Sequence, residues 1–305
     1  MKIALLADIH GNNFAFQAVR EDVEKRHIDE YWFLGDLVGR GPDPEIPLQW
    51  LLNGNEKKVI LLGNHEVILA NKLLSINRQY VDPLTLETIA KHRNSPEIKD
   101  WLETHLLPRY MEFEKVNVRE NISEAHIVIA HASCDDPLGV RYGYLYSWYE
   151  GINKGLLDRE FEELKKNSGD HKLVAKCFGH THVPTLVSSD KDGKDIRAEW
   201  VRPFKRYDLA PERLWLINPG SIGAPRDLDT RASYAVLEID ENGSAVTFFR
   251  VSYDLKPLRD RLNEKGYPLQ TFEKFFKDAK TEKKTPPAWI KHYEEMRNVN
   301  NDEKI

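Results

Sequence analysis

Cysteine is scarce in these 305 residues. Only Cys134 and Cys177 occur, which excludes a disulfide framework and any multi-cysteine zinc module. Each lies in or just after an apolar stretch, so two buried thiols are expected. Long apolar runs are also missing. None approaches the roughly 18 residues needed to span a membrane, and the apolar start MKIALLAD is cut short by Asp8, too early for a secretory core. A reducing cytoplasm and no membrane are therefore expected. Repeats and low-complexity linkers are absent, which leaves one large domain with an appendage as the expected organisation. What the chain does hold is aromatic: 7 Trp, 12 Tyr and 12 Phe among 41% apolar and 30% charged residues, a globular and not a disordered composition.

A basic excess is lacking too. The net charge is −5, and from Lys256 onward 12 Lys and Arg face 9 Asp and Glu, so that +3 in this tail leaves −8 on the first 255 residues. An acidic body argues against general nucleic-acid binding, which depends on basic surface. A local positive pocket made by metal ions remains compatible with it, because formal charge omits them.

Along the first 180 residues, short apolar runs end abruptly in Gly, Asp, Asn or His. The runs are Ile3–Ala7, Tyr31–Leu34, Val59–Leu62, Ile127–Ala130 and Leu173–Phe178. They read as strands buried on both faces. Helices are expected over Asn13–Arg26 behind an Asn cap, Pro83–Arg93, Ser95–Leu106 with Pro96 at its first position, and Asp158–Asn167. This alternation predicts an α/β fold with a substantially parallel sheet. Later strands are expected at Thr185–Ser189, Glu199–Pro203, Leu214–Asn218, Ser233–Ile239 and Ala245–Tyr253, forming a second, mostly antiparallel sheet packed on the first. Two terminal helices, Leu255–Phe276 and Pro287–Arg297, complete the reading.

The chemistry collects at the strand ends. Asp8 and His10, spaced i and i+2 on an expected extended backbone, share one side. Asp36, Asn64, His131, His180 and His182 follow later strands, where open α/β sheets place their ligand crevice. Two carboxylates, one amide and four imidazoles suit two divalent transition-metal ions, since imidazole selects that class. Asp36 is the candidate bridge between ions roughly 3.5–4 Å apart. Water trapped between such ions is a nucleophile near neutral pH, and the filled site would carry a charge of about +1. Six of the 11 histidines (His27, His92, His105, His126, His171 and His292) lack any such context and read as structural.

The motifs ADIHGN, LGDLVGRGPDP, LGNHE, IAHAS and FGHTHVP stand in this order, each after a strand. Together they resemble the calcineurin-like metallophosphoesterase superfamily. INPGSIGAPRD at 217–227, RASYAVLEI at 231–239 and YDLKPL near 253 are similar to its bacterial and archaeal phosphodiesterase, or diadenosine-tetraphosphatase-like, subfamily. The resemblance implies a four-layer α-β-β-α sandwich of two mixed sheets flanked by helices, a catalytic body over 1–255 and a helical tail over 256–305. It implies Asp8, His10, Asp36 and His182 at one metal, and Asp36, Asn64, His131 and His180 at the other, with Mn the leading candidate over Fe, Ni, Co or Zn. Asn64 would also contact phosphate, Arg40 would grip it, and His65 would stabilise the transition state or protonate the leaving oxygen. In protein serine/threonine phosphatases an Asp precedes that Arg and pairs with the histidine; here the position is Gly39.

The expected function is thus a dinuclear-metal-dependent phosphoric ester hydrolase acting on a nucleotide or other small phosphate ester through a metal-bridging hydroxide. Diester or nucleotide chemistry is favoured over protein-phosphatase-like activity. The alternatives are a binding or scaffold protein on the same fold and a nuclease of single strands, which the acidic body disfavours. Arg226 and Arg231 read either as further phosphate ligands or as surface arginines. The stretch 141–149, with five aromatics in nine residues, reads either as a base-stacking cap or as a loop anchored by its rings.

Overall fold

Alternation along the first strand sets the order of the layers. In β1 (Lys2–Leu6), Ile3 and Leu5 point to one side and Ala4 and Leu6 to the other, and all four are buried. A strand buried on both faces lies inside a stack. The computed structural model describes residues 1–53, 56–69, 83–92, 95–101, 115–118, 125–139, 146–147, 151–152, 154–166 and 168–276. The aromatic stretch 141–149, apart from the backbone of 146–147, and the tail beyond 276 with its expected helix Pro287–Arg297 lie outside the described residues.

The early strands after β1 are β2 (Glu30–Phe33), β3 (Lys57–Ile60), β4 (Lys115–Val118) and β5 (Ala125–Ile129). A short hairpin, β6 (Tyr146–Ser147) and β7 (Gly151–Ile152), precedes β8 (Leu173–Cys177) and β9 (Pro184–Asp190). Then come β10 (Arg197–Glu199), β11 (Arg206–Leu209), β12 (Arg213–Pro219), β13 (Ala232–Asp240) and β14 (Gly243–Val251). The helices are α1 (Asn13–Val23), α2 (Glu45–Leu52), α3 (Asn64–Leu69), α4 (Pro83–His92), α5 (Pro96–Trp101), α6 (Lys154–Lys166), α7 (Leu255–Glu264) and α8 (Gln270–Phe275).

Two mixed six-stranded sheets result, in the orders β11-β14-β13-β1-β2-β3 and β10-β9-β12-β8-β5-β4. Strands β1, β2 and β3 run parallel, as do β5, β8 and β12, and the remaining pairings within these two sheets are antiparallel. The later strands therefore do not form a sheet of their own. They complete both sheets, and the strands leading to His131 and His180 belong to a different sheet from those leading to Asp8 and Asp36. Local sequence pattern carries no record of this exchange, because each later strand looks alike whichever sheet it joins.

Ile3, Leu5, Trp32, Ile127, Ile129, Ala175, Ile217, Leu237 and Phe248 fill the space between the sheets. Outside the first sheet, Ala15, Phe16, Val19 and Val23 of α1 pack on Ala4, Leu6 and Phe33. Outside the second, Leu157, Phe161 and Leu164 of α6 cover Val174, Leu214 and Leu216. This is the four-layer α-β-β-α order. Beneath α6 a buried ion pair, Lys176 to Glu160 at 2.7 Å, also accepts the Cys134 N–H, which anchors the loop after His131. Cys177 is buried as expected, but Cys134 is only half-buried. Among the described residues no helix is long and apolar enough to cross a membrane.

Several boundaries differ from expectation. The cap of α1 is Asn12, whose side chain accepts the Ala15 N–H, and the helix ends in one tight turn over Glu24–Arg26. Helix α6 begins at Lys154, four residues earlier than its charged stripe indicates. The expected strand Glu199–Pro203 is displaced to Arg197–Glu199, and its last residues turn the chain toward β11. The expected helix Leu255–Phe276 breaks in two. Gly266 adopts a φ of +62° and Pro268 follows it, so the helix stops and restarts.

The first part of that tail docks on the loop after β2. Arg261 and Lys265 both contact the Asp43 carboxylate, at 3.1 and 2.8 Å, and Lys265 also donates to Pro42 O. His92, at the end of α4, lies buried against the same loop and against Tyr267. Burial drives its imidazole down to about 4, with Lys265 opposing protonation and Gly41 O and Asp43 favouring it. The unfolded chain takes up a proton near His92's ordinary 6.5, which the folded chain refuses until about pH 4. This contribution to stability is therefore intact above 6.5 and shrinks as pH falls toward 4, by about 3 kcal/mol in all. Denaturant unfolding of the metal-free protein between about pH 7 and about pH 4.5 measures it. His92→Asn should lose less stability over this interval than the parent, although it starts lower; equal losses would contradict the reading.

Candidate metal centre and active site

The site residues leave their strands through backbone that only glycine adopts freely. Asp8, His10, Asp36, Arg40, His180 and His182 all have φ between 50° and 64°, six of the nine non-glycine residues with positive φ among those described. Each such residue costs on the order of 1–2 kcal/mol. Asp8 and His10 are thus not on an extended backbone. They face one site because the chain coils after β1, not because of period-two alternation. Hydrogen bonds between loops hold these turns: Asp8 N–H to Gly35 O at 3.1 Å, His10 N–H to Asp36 O at 2.9 Å and Gly11 N–H to Leu37 O at 2.9 Å.

The seven expected ligands do come together, and all are buried. Asp8, His10, Asp36 and His182 present donor atoms within 4.8 Å of one another, and Asp36, His131 and His180 form a second such group, so Asp36 belongs to both. Asn64 joins the second, its Oδ1 lying 3.3 Å from His131 Nε2 and 3.2 Å from His180 Nδ1. Asp36 Oδ2 is 3.6 Å from His10 Nε2 and 3.5 Å from His131 Nε2, and Asp8 Oδ1 is 3.4 Å from His182 Nε2.

The tautomers decide what this arrangement needs. His10 Nδ1 faces Val38 O at 3.3 Å, His182 Nδ1 faces Ala224 O and His131 Nδ1 faces Leu34 O at 2.7 Å. A carbonyl only accepts, so each neutral ring carries its proton on Nδ1 and turns a bare Nε2 inward. His10 Nε2 and His182 Nε2 then stand 3.0 Å apart with no hydrogen between them, and His131 Nε2 faces the oxygens of Asn64 and Asp36. Lone pairs pointing at lone pairs repel unless a cation lies among them. The donor set, nitrogen-rich with shared carboxylate, fits two divalent ions of the transition-metal class.

The ionisation of the metal-free cluster reflects the same demand. Burial raises Asp8 to about 8, with the neighbouring Asp36 charge adding to it. Burial acts against Asp36 ionising too, but His131 and His65 beside it hold its carboxyl well below the usual range. Burial opposes a charged His131, yet Asp36 prevails and lifts it to about 10, so a proton occupies the place suited to a metal. Burial keeps His10, His180 and His182 well below their ordinary value and therefore neutral.

His65 and Arg40 border this cluster. His65 N–H donates to Asp36 Oδ1 at 2.9 Å, its ring lies 4.4 Å from that of His10, and burial lowers its imidazole to about 3. A Cβ built on Gly39 would sit 2.0 Å from His65 Nδ1, and Gly39 has a φ of +90°. With the His65 ring where it stands no side chain fits there, so a carboxylate at position 39 would require that ring to move. Arg40 is half-buried at the rim, and its charge and that of Arg226 both oppose protonation of His10, His65 and His182. Arg226 thus lies within electrostatic reach of the site, whereas Arg231 is engaged by Asp229 at 2.6 Å.

Three supporting residues were inside recognised motifs without an assigned role. Glu66, the last residue of LGNHE, accepts the N–H groups of Gly63, Asp36 and Val38 at 2.7, 3.0 and 2.9 Å. Burial, then the nearby Asp36, raises its carboxyl to about 7. Asn218 donates to Gly179 O and Thr181 Oγ1, which braces the turn carrying His180 and His182. Ser221 Oγ donates to Asp8 O at 2.8 Å, joined there by Gly223 N–H at 3.0 Å. A polar residue within an otherwise apolar strand end was the available signal for Asn218.

Comparison with known proteins agrees with this geometry. The calcineurin-like phosphoesterase family matches residues 1–184. An uncharacterized protein of Methanocaldococcus jannaschii is 28% identical over 277 residues, 90% of this chain and 97% of that protein. A symmetrical bis(5'-nucleosyl)-tetraphosphatase of Legionella pneumophila strain Lens is 27% identical over 191 residues, so the chain spans 60% of its length and 62% of this chain is matched. A metallophosphoesterase of Sphaerobacter thermophilus has the same fold, with a TM-score of 0.64 at 24% identity over 91% of this chain and 99% of that one. The match over more than half of the chain, on a site built as this one is, establishes that the chain belongs to the calcineurin-like phosphoesterase family, hydrolases of phosphoric ester bonds.

Proposed function

We propose that this protein is a dinuclear-metal-dependent phosphodiesterase or phosphoanhydride hydrolase acting on a small nucleotide-type substrate. The observation that carries the reading is the inward convergence of bare acceptor atoms on two overlapping donor groups that share Asp36. Asp8, His10, Asp36 and His182 would hold one ion, and Asp36, Asn64, His131 and His180 the other; Mn is the expected metal. Bound there, two divalent ions would neutralise phosphate charge and lower the pKa of water.

The chain's own groups supply the rest. The backbone carbonyls of Leu34, Val38 and Ala224 fix the tautomers of His131, His10 and His182, so the donor atoms need no reorganisation. Arg40 would bind phosphate oxygens through its guanidinium, with Arg226 adding positive potential. His65, held neutral by burial, would donate a hydrogen bond to the leaving oxygen or to an equatorial oxygen as charge develops. Gly39 leaves His65 without an orienting carboxylate, which favours anhydrides, whose phosphate leaving group needs less proton assistance than the alkoxide released from an ester. The tetraphosphatase names of several relatives point the same way. We assign residues 1–255 as the catalytic unit and 256–305 as its extension, and place the enzyme in the cytoplasm on the strength of its two free thiols.

Hydrolysis of bis(para-nitrophenyl) phosphate and of a dinucleoside tetraphosphate, after loading with Mn and after chelation, tests the activity. Turnover that requires the ion and exceeds that of para-nitrophenyl phosphate is expected. A folded, loaded protein inactive with each of Mn, Co, Ni and Zn would contradict the assignment. A second measurement isolates His65. His65→Ala should keep two ions per chain by elemental analysis while turnover falls by about 10²–10⁴-fold; unchanged turnover would remove His65 from the chemistry.

A further inference from the structure

His92 has no motif context in the sequence, yet it sits at the back of the turn that carries Arg40. It is 3% exposed and ends α4, and its ring meets two of the three residues in Gly39–Arg40–Gly41. The Gly39 N–H donates to His92 Nδ1 at 3.4 Å, which puts the ring proton on Nε2. That Nε2–H lies 2.9 Å from Gly41 O and 2.9 Å from the Tyr267 hydroxyl. Tyr267, itself buried, donates its O–H to the same Gly41 carbonyl at 3.3 Å. On the other side of the turn, Gly41 N–H donates to His10 O at 2.6 Å, and Asp43 N–H to Gly11 O at 3.1 Å. Arg40 is thus suspended, with a φ of 50°, between a metal-site loop and a histidine–tyrosine clamp.

We propose that His92 and Tyr267 are positioning residues that hold the Gly39–Gly41 turn so that Arg40 meets the phosphate. The argument is geometric. A left-handed arginine between two glycines has no intrinsic reason to stay where it is. Two donors converge on Gly41 O and one acceptor takes Gly39 N–H, so the peptide planes on both sides of Arg40 are oriented by the clamp. Arg261 and Lys265 on the Asp43 carboxylate extend it by one more residue. The clamp joins α4 to the segment after α7, beyond the residues that match the family. The described part of the tail would then serve substrate binding, although it contributes no group to the cluster itself.

This inference rests on Arg40 binding phosphate, and the test separates the two claims. The full-length protein is loaded with Mn. Inorganic phosphate binding is measured by calorimetry, and kcat and KM for bis(para-nitrophenyl) phosphate are measured alongside. Arg40→Ala, His92→Asn and Tyr267→Phe are compared singly, and each clamp substitution is repeated in the Arg40→Ala background. Each clamp substitution should weaken phosphate binding about 5–20-fold with two Mn per chain retained, and should change it less than twofold once Arg40 is absent. His92→Gln, whose longer side chain carries an amide N–H to the place of His92 Nε2 beside Gly41 O, should recover most of the loss seen with the shorter His92→Asn. Penalties that multiply with Arg40→Ala, or variants that bind phosphate as the parent does, would overturn the clamp while leaving Arg40's role standing. An Arg40→Ala variant with parental phosphate affinity would overturn both. Tyr267→Phe removes one oxygen only, so its cycle decides the matter if the His92 variants do not fold.

Discussion

Everything in this site follows from acceptors that face acceptors. Three imidazoles are each held by a backbone carbonyl on Nδ1, which turns Nε2 inward, as a bare lone pair on the neutral rings of His10 and His182. Asp8, Asp36 and Asn64 add oxygens to the same volume, deep beneath the surface. Buried acceptors without donors are costly. Without ions the cluster compensates by holding a proton on His131 and neutralising Asp8. Two divalent ions would turn the same atoms into a complete donor set and would give an acidic body a cationic pocket.

The cost of building this set is spread through the two sheets. Six side chains at the site leave strand ends in left-handed conformation, and such strain persists only where the surroundings over-determine it. Those surroundings are specific. Glu66 ties three N–H groups from two loops, Ser221 and Gly223 hold the carbonyl of Asp8, and Asn218 braces the turn of His180 and His182. Gly63 belongs to the same logic, since a Cβ there would lie 2.1 Å from Asp36 Oδ1. The interleaved topology brings these loops together: β1, β2 and β3 lead to Asp8, His10, Asp36 and Asn64, and β5 and β8 lead to His131, His180 and His182, from opposite sheets.

Much of this is legible in the amino-acid sequence. Apolar runs that stop in Asp, Asn or His mark β1, β2, β3, β5 and β8 correctly to within a few residues, and the seven candidate ligands stand where those runs end and converge in the fold. Other features left no local trace. The partition of the later strands between sheets depends on long-range pairing, such as β13 against β1 across more than 200 residues. Strand β11 alternates charge with burial over only four residues, too short a signal to separate from a loop. The left-handed backbone of Asp8 and His10 defeats an argument from period two although its conclusion survives. His92 has no motif at all, because its partners are two backbone groups and a tyrosine 175 residues away.

The shared carboxylate is the point on which the account stands. Both donor groups contain Asp36, so its loss should empty both, whereas the loss of His182 should empty only one. Elemental analysis of Mn-loaded parent, Asp36→Ala and His182→Ala chains, each verified as folded, measures this directly. The account predicts two, none and one ion per chain. An Asp36→Ala chain that still holds two ions, or a parent that holds none, would contradict it.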